Sequence, residues 1–192
     1  MGARLAFLAE ADRLKSVCRA SPLCDGSRRE NSAEHSWHLA LYALVMAPHA
    51  GKGVDIGRVV RMLILHDLVE IDAGDVPIHS AQGQAHDGAA QLAAEQQAAD
   101  RIFGLLPDGQ GQTFRALWDE FEANRTPAAM FAKSLDRAQP VMQNIASGGG
   151  TWVEYGVTHD QLVRRVGVRI AKGAPELWHW LDGRAAAYFD QN

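Results

Sequence analysis

Residues 59–69 read VVRMLILHDLV, an almost wholly apolar run that is interrupted by the pair His66-Asp67. A helix with apolar residues on nearly every side is expected to be buried, and an ionised carboxylate buried without partners is costly. A divalent cation held by His66 and Asp67 would compensate this charge, because neutral imidazole and ionised carboxylate are both metal ligands. The stretch therefore predicts a buried helix that carries part of a metal site.

The rest of the chain also favours helices. Apolar residues recur at intervals of three and four, and no segment sustains the alternation that is typical of strands. We therefore expect an all-α fold. The first expected helix contains Phe7, Ala11, Leu14 and Val17, and the second runs from Ser32 to Pro48. The further expected helices cover about residues 56–71, 89–106, 114–121 (a short helix), 128–145, 160–172 and 175–189.

Two of these helices have clear start signals. Asn31 is followed three positions later by Glu34, which is the pattern of a capping box, and it places His35 in the first turn of the second helix. Thr126-Pro127 combines a capping hydroxyl with a proline at the first helical position, so one helix should carry Asp136 and be bent by Pro140. The segment 21–26 is expected to be a loop.

Length and composition indicate one domain over residues 1–192, with the 47% hydrophobic content of an ordinary globular protein. A net charge of -4 gives no electrostatic footprint for a nucleic acid polymer, so any phosphate partner should be a small molecule. Charged residues in the first fifteen positions leave no apolar stretch for a signal peptide or membrane span, which predicts a cytoplasmic protein. The two cysteines fit neither a zinc knuckle nor a disulfide framework.

Three predicted helices each place an ionisable residue in an apolar setting: His35, the pair His66-Asp67, and Asp136. Helix bundles build metal sites by pointing such residues at one shared centre. Two histidines and two aspartates could leave coordination positions for water and for a substrate oxygen, which is the mark of a catalytic metal site.

The order His35, His66-Asp67, Asp136 resembles the pattern of the HD-domain superfamily of metal-dependent phosphohydrolases, whose fold is a helical bundle. Further blocks resemble, in order and spacing, the subgroup that contains the bacterial 5'-deoxynucleotidases, and the resemblance covers roughly residues 5–170. These blocks are 13–15 (RLK), 28–36 (RRENSAEHS), 66–70 (HDLVE), 74–75 (GD) and 135–137 (LDR).

This resemblance implies a hydrolase that releases phosphate from nucleoside 5'-monophosphates. It implies that one divalent metal ion (Mn, Co, Fe, Ni, Zn or Mg) is bound by His35, His66, Asp67 and Asp136. It also implies that Glu70 positions or deprotonates the attacking water, that Asp75 touches the sugar and that Arg19 holds the phosphate. In the deoxynucleotidases a sugar-packing tryptophan follows this arginine, whereas Ala20 follows Arg19 here, so the resemblance does not extend to a preference for 2'-deoxy sugars.

The spacing of Glu70 agrees with this role, because it lies three positions after Asp67 and four after His66 and so shares their helix face. Lys15, Arg28 and Arg29 are reserve candidates for the phosphate, since they lie near the same helix junction. His38 is expected to pack or to hydrogen-bond a partner of the site.

Simpler roles for the same residues stay open at this point. His35 could be an exposed first-turn histidine, and Asp136 a surface carboxylate paired with Lys133 or Arg137. Glu70 could be an exposed residue near a helix end, and Arg19 a solvated loop arginine.

Other functions also stay open: an HD-type phosphodiesterase or nucleotide pyrophosphohydrolase, or a catalytically silent module that binds metal or nucleotide. The C-terminal aromatics Trp178, Trp180, Tyr188 and Phe189 indicate core, or else a homodimer surface. The loop 80–88 and the glycines before Thr151 are candidate segments for closing over a substrate.

Overall fold

The computed structural model describes residues 1–80 and 88–192, and it is mainly helical, which confirms the all-α class. The α-helices are α1 Gly2–Asp12, α2 Ser32–Val45, α3 Ile56–Leu65, α4 Glu70–Ala73, α5 Ala89–Phe103, α6 Gln110–Ala123, α7 Pro127–Ala146, α8 Thr151–Glu154, α9 His159–Leu162, α10 Val168–Gly173 and α11 Pro175–Phe189. The strands are β1 Cys18–Pro22 and β2 Arg29–Asn31.

The predicted start signals are confirmed. The side chain of Asn31 accepts a hydrogen bond from the backbone N–H of Glu34, and the Glu34 side chain accepts one from the backbone N–H of Asn31. Thr126 caps α7 by accepting from the N–H of Ala129, with Pro127 at the first helical position. These caps fix where α2 and α7 begin, and so they fix which residues face inward one turn later.

The expected loop at 21–26 is partly wrong, because residues 18–22 form a strand. β1 pairs with β2 in an antiparallel hairpin in which Cys18 lies opposite Asn31. Strands of five and three residues are too short to display a recognisable alternation in sequence. β1 also contacts α7 and α8, which are distant along the chain, so this environment could not be predicted from the local sequence.

The expected continuous helix over 56–71 is also wrong in one respect. Helix α3 ends at Leu65, residues His66–Val69 form a 3-10 turn, and α4 begins at Glu70. A 3-10 turn has three residues per turn, so Asp67 and Glu70 still lie one above the other. Likewise, the segment expected at 160–172 contains a π-helical turn at Val163–Gly167 between α9 and α10.

The apolar core has two parts that meet along α7. The first part joins α1, α2, α3, α5 and α6 to the N-terminal half of α7, including Leu135. The second part joins the C-terminal half of α7, from Ala138, to α8–α11. Asp136 therefore lies on α7 where one core cluster gives way to the other.

Trp178, Tyr188 and Phe189 pack against the second core cluster, as expected of core residues, whereas Trp180 is 47% exposed. None of the helices in the described ranges has the length and apolar composition needed to cross a bilayer. Of the predicted closing segment 80–88, residues 81–87 lie outside the described residues.

Candidate metal centre

Three separate elements bring two histidines and two aspartates together. His35 lies in the first turn of α2, His66 and Asp67 lie in the 3-10 turn after α3, and Asp136 lies in the middle of α7. All four side chains are buried. Residues that are up to 101 positions apart in the sequence are thus neighbours in the fold.

The distances between these side chains suit a shared ion. One ligand atom each from His35, His66 and Asp136 lies within 4.8 Å of the others. Nε2 of His35 is 3.1 Å from Oδ1 of Asp136, and Nε2 of His66 is 3.7 Å from the same oxygen. Ligand atoms at about 2.0–2.2 Å from one tetrahedral ion lie about 3 to 4 Å apart.

Asp67 lies at the edge of this three-residue group. Its Oδ1 is 2.9 Å from Nε2 of His66, and its Oδ2 is 4.0 Å from Nε2 of His35. Oδ2 also accepts a hydrogen bond of 3.0 Å from Nη1 of Arg19. Asp67 can therefore offer one oxygen to the centre while Arg19 engages the other.

His66 gives a direct test of whether these residues fit a metal ion. Its Nδ1 donates a hydrogen bond of 2.9 Å to the carbonyl oxygen of Leu63, so in the neutral ring the Nε2 lone pair faces the carboxylates. Nε2 is buried and, despite the short distance to Asp67, lacks hydrogen-bond geometry. A buried ring nitrogen without a hydrogen bond, surrounded by carboxylate oxygens, fits a metal ligand.

The charges of the site are strongly coupled. Burial works against a charged imidazole, but the carboxylates of Asp67 and Asp136 outweigh it and raise the pKa of His66 to about 10. Burial also opposes the charge on Asp67, yet the His66 and Arg19 charges hold the pKa of Asp67 well below its usual range. The buried carboxylates therefore favour positive charge at this centre, and a divalent cation would supply it.

Arg19 lies on β1 at the centre of a group of carboxylates. Its Nη1 is 3.0 Å from Asp67, 3.5 Å from Asp75 and 3.6 Å from Glu70, and its side chain is 11% exposed. Burial disfavours its charge, but the carboxylates outweigh burial and raise the pKa of Arg19 above its ordinary value. The idea of a solvated loop arginine is therefore wrong.

Glu70 and Asp75 lie beside Asp67. The hydroxyl of Ser32 donates to Oε2 of Glu70 at 2.5 Å. Burial and repulsion from Asp67 raise the pKa of Glu70 well above its ordinary value. Burial also raises the pKa of Asp75, against the opposing charge of Arg19. Both carboxyls are thus better proton acceptors, once deprotonated, than carboxyls in water.

The reserve cations are not part of this site. The side chains of Lys15, Arg28 and Arg29 are each more than half exposed and pair with Asp12, Glu34 and Glu154 respectively. Their proximity to the helix junction in sequence did not predict the direction of their side chains.

A cavity of about 360 Å³ adjoins the centre. His66, Asp67 and Asp136 line it together with Arg19, Glu70 and Asp75, while His35 is fully buried beside them. The simpler alternatives of an exposed His35, Asp136 or Glu70 are therefore wrong, since none of the three lies on the outer surface.

The cavity wall also contains cationic residues that the sequence interpretation did not assign to the site: Lys133, Arg137 and Arg169. Lys133 pairs with Glu122 at 2.8 Å, and Nε of Arg137 is 3.7 Å from Oδ2 of Asp136. The positions of Lys133 and Arg137 in the sequence could have indicated their place in the cavity wall, because they lie three residues before and one residue after Asp136. Arg169 lies on α10, far from Asp136 in the sequence, so its position could not have indicated a place in the cavity wall.

Comparisons with known proteins agree with this geometry. Residues 11–178 match the model of the HD domain family. The chain is 28% identical over 145 residues to the human protein 5'-deoxynucleotidase HDDC2, covering 74% of this chain and 68% of that protein. It is 29% identical over 134 residues to 5'-deoxynucleotidase plu3092 of Photorhabdus laumondii, covering 68% and 67%.

A solved structure is also similar along nearly the whole chain. It is described as a predicted metal-dependent phosphohydrolase from Magnetospirillum magnetotacticum, with 43% sequence identity and a TM-score of 0.90, covering 99% of this chain and 95% of that one. The family match spans most of the sequence and includes all four residues of the candidate centre. The chain therefore belongs to the HD domain family.

Proposed function

We propose that this protein is a metal-dependent phosphohydrolase that releases phosphate from ribo- or deoxyribonucleoside 5'-monophosphates. The observation that carries the proposal is the buried convergence of His35, His66, Asp67 and Asp136 beside a cavity whose wall contains both carboxylates and cationic side chains. The similarity to proteins named 5'-deoxynucleotidase supports the substrate class.

His35, His66, Asp67 and Asp136 would together hold one divalent cation. When bound, this cation supplies positive charge that stabilises phosphoryl oxygens and acidifies water. Imidazole and carboxylate ligands suit Mn, Co, Fe, Ni or Zn, and carboxylates also suit Mg, so the donor set does not select one metal.

Glu70 is the proton acceptor in this proposal. It lies one 3-10 turn beyond Asp67, and its raised pKa makes the ionised carboxylate a stronger base towards the attacking water. The hydrogen bond from Ser32 holds one of its oxygens, which leaves the other oriented towards the Arg19 side of the cavity.

Arg19 would bind the phosphate, and Asp75 would contact the sugar. Arg19 is already surrounded by carboxylates, so a phosphate dianion needs additional positive charge. The cavity offers it in Lys133, Arg137 and Arg169. The small side chain of Ala20 next to Arg19 is the reason why the proposal includes both ribose and deoxyribose.

We further infer a cytoplasmic enzyme that acts as a homodimer on a small nucleotide and not on a nucleic acid polymer. The net charge of -4 supports the small substrate. The exposed ring of Trp180 supports a surface between subunits.

Phosphate release from a panel of nucleoside monophosphates tests the proposal, using metal-depleted protein reconstituted with Mn²⁺ or Co²⁺. Asp67→Ala should abolish release, because it removes both a ligand and the partner of Arg19. Asp160→Ala is the matched control, since this aspartate pairs with Arg164 on the surface and should leave the rate unchanged. A loaded protein that releases phosphate from no monophosphate would refute the assignment.

The products also separate the alternative functions, because the same ligands serve monoesters and diesters. Hydrolysis of a cyclic nucleotide or release of pyrophosphate from a triphosphate, without monophosphate turnover, would indicate a diesterase or pyrophosphohydrolase. Thermal stabilisation by nucleotide and metal without any turnover would indicate a silent binding module.

A further inference from the structure

A buried polar chain connects the candidate ligand His35 to Glu30 on β2. Nδ1 of His35 lies 3.0 Å from Oε1 of Gln139, and Nε2 of Gln139 donates to Oε1 of Glu30 at 2.8 Å. His35 and Gln139 are fully buried, and Glu30 is 2% exposed. Gln139 lies on α7, so the chain joins three elements of the fold.

The chemistry of this chain determines which nitrogen of His35 carries a proton. An ionised carboxylate only accepts hydrogen bonds, so the Gln139 amide must turn its NH₂ group towards Glu30. The amide oxygen of Gln139 then faces Nδ1 of His35, which must donate. In neutral His35 the Nε2 lone pair is therefore left facing Asp136 and the candidate metal position.

His38 agrees with the same orientation of the amide. Its Nδ1 lies 3.3 Å from Nε2 of Gln139, so the second hydrogen of the NH₂ group has an acceptor if His38 is neutral. Burial lowers the pKa of His38, which favours the neutral ring. Both hydrogens of the Gln139 amide thus have partners, and the expectation that His38 hydrogen-bonds a partner of the site is confirmed.

Glu30 also faces Arg19 across the β1–β2 hairpin. Each residue lies one position beyond the paired residues Cys18 and Asn31, and Oε2 of Glu30 is 3.9 Å from Nε of Arg19. Both atoms are buried and have no hydrogen-bond partner among residues 1–80 and 88–192, although Oε2 of Glu30 also lies 3.4 Å from Nδ1 of His35. Arg19 therefore places a positive charge beside the Glu30 carboxylate, whose other oxygen accepts the hydrogen bond from Gln139.

We propose that Glu30 and Gln139 are positioning residues that fix the Nδ1–H tautomer of His35 and thereby present its Nε2 to the metal. This inference rests on the proposed role of His35 as a ligand. The β1–β2 hairpin would then contribute to the site from both strands, because Arg19 lies on β1 and Glu30, which orients His35 through Gln139, lies on β2.

The expected cost of breaking the chain is a loss of metal affinity. Glu30→Gln is nearly isosteric, but the new amide can donate or accept, so Gln139 is free to rotate and His35 to adopt the other tautomer. Gln139→Leu removes the nearer acceptor and leaves only Oε2 of Glu30, which lies 3.4 Å from Nδ1 of His35. Loss of the hydrogen-bond partner of a metal-binding histidine typically weakens metal affinity about 10–100-fold.

A double variant provides a rescue test. In Glu30→Gln with Gln139→Glu, the carboxylate at position 139 accepts from Nδ1–H of His35, and the amide at position 30 donates to that carboxylate. The Nδ1–H tautomer of His35 is again fixed, and the total charge of positions 30 and 139 is the same as in the original protein. The affinity should therefore recover to within about threefold of the original protein, because the partner of Nδ1 is restored.

The measurement is the dissociation constant of Co²⁺ by competition with a chromophoric chelator, without substrate, together with the d–d absorption of bound Co²⁺. Gln143→Leu is the matched control, since Gln143 is a buried glutamine one helical turn further along α7. Circular dichroism of the metal-free variants checks that they fold. If Gln139→Leu does not fold, Glu30→Gln and the double variant decide alone.

Weaker Co²⁺ binding in Glu30→Gln, recovery in the double variant and no change in Gln143→Leu would support the proposal. Unchanged affinity in Glu30→Gln, or a double variant as weak as Glu30→Gln, would overturn it. If the original protein binds Co²⁺ but releases no phosphate, the proposed function fails while this test still applies. If it binds no Co²⁺, the metal role of His35 fails and the inference falls with it.

Discussion

Glu70 and Asp67 are buried carboxylates one 3-10 turn apart, and the structure gives them different partners. Asp67 is held ionised beside His66 and Arg19, whereas Glu70 has a raised pKa and a hydroxyl donor. This difference separates a ligand from a proton acceptor. We expect Glu70→Gln to lower kcat by about 10²–10⁴-fold, the usual contribution of a general base, with Co²⁺ affinity unchanged.

Phosphate release under saturating Co²⁺, together with the Co²⁺ dissociation constant, checks this prediction. Asp72→Asn serves as the control, since Asp72 is two residues further along and pairs with Arg101 outside the cavity. A full rate in Glu70→Gln would remove Glu70 from the mechanism. A parallel loss of metal affinity would instead make it a ligand.

The raised pKa of His66 predicts that metal binding depends on pH. Below a pKa of about 10 the metal-free imidazole is mostly protonated, and this proton must leave before Nε2 can bind a cation. Apparent Mn²⁺ affinity should therefore rise with pH between pH 6 and 8, by about tenfold per unit for each proton displaced. Calorimetry in two buffers with different ionisation enthalpies should detect the release of at least one proton. A dissociation constant that is flat over this range would contradict the prediction.

At the scale of elements, the sequence predicts the helix boundaries that are set by hydrogen bonds between neighbouring residues. The capping box at Asn31 and the cap at Thr126 place the starts of α2 and α7 correctly, because both hydrogen bonds are made within four residues. The β1–β2 hairpin is missed because strands of five and three residues are too short to show an alternation in the sequence. The change from α-helix to 3-10 turn at His66 is missed as well, since residues 59–69 favour a continuous helix.

The cap of α2 should affect the candidate centre, because His35 lies in the first turn that Asn31 stabilises. Asn31→Ala should lower the free energy of unfolding by about 1 kcal/mol, and it should also weaken Co²⁺ binding severalfold as this turn frays.

Thr158→Ala removes the equivalent capping-box bond to Gln161 on α9, away from the centre. It should cost similar stability and leave Co²⁺ affinity unchanged. Denaturant unfolding and chelator competition measure both effects, and equal Co²⁺ affinities in the two variants would refute the link between cap and ligand.

The four candidate ligands were predictable because an ionisable side chain in an apolar helix needs a partner. The residues around them were not. Glu30 and Gln139 are ordinary polar residues in sequence, and their importance depends on the tertiary contact between β2 and α7. Lys133 and Arg137 flank Asp136, but their direction into the cavity is set by how α7 packs.

At the scale of the whole molecule, the candidate centre lies where the two core clusters meet on α7. Its residues also come from α2 and from the turn after α3, so a bound cation would tie these elements together. A ligand that binds only the folded state stabilises it by about 2.7 kcal/mol at a hundred times its dissociation constant. For a chain of this length, about 2–4 °C per kcal/mol is expected, so removal of the metal should lower Tm by roughly 5–10 °C.

Differential scanning calorimetry of the loaded and chelator-treated protein measures this shift. Asp136→Asn is the matched comparison, because it keeps the size of the side chain at the junction of the two clusters and removes the ligand charge. Its Tm should be the same with and without added metal. A Tm shift that persists in Asp136→Asn would locate the stabilising ion elsewhere, and the absence of any shift in the original protein would mean that the three elements are held together by packing alone.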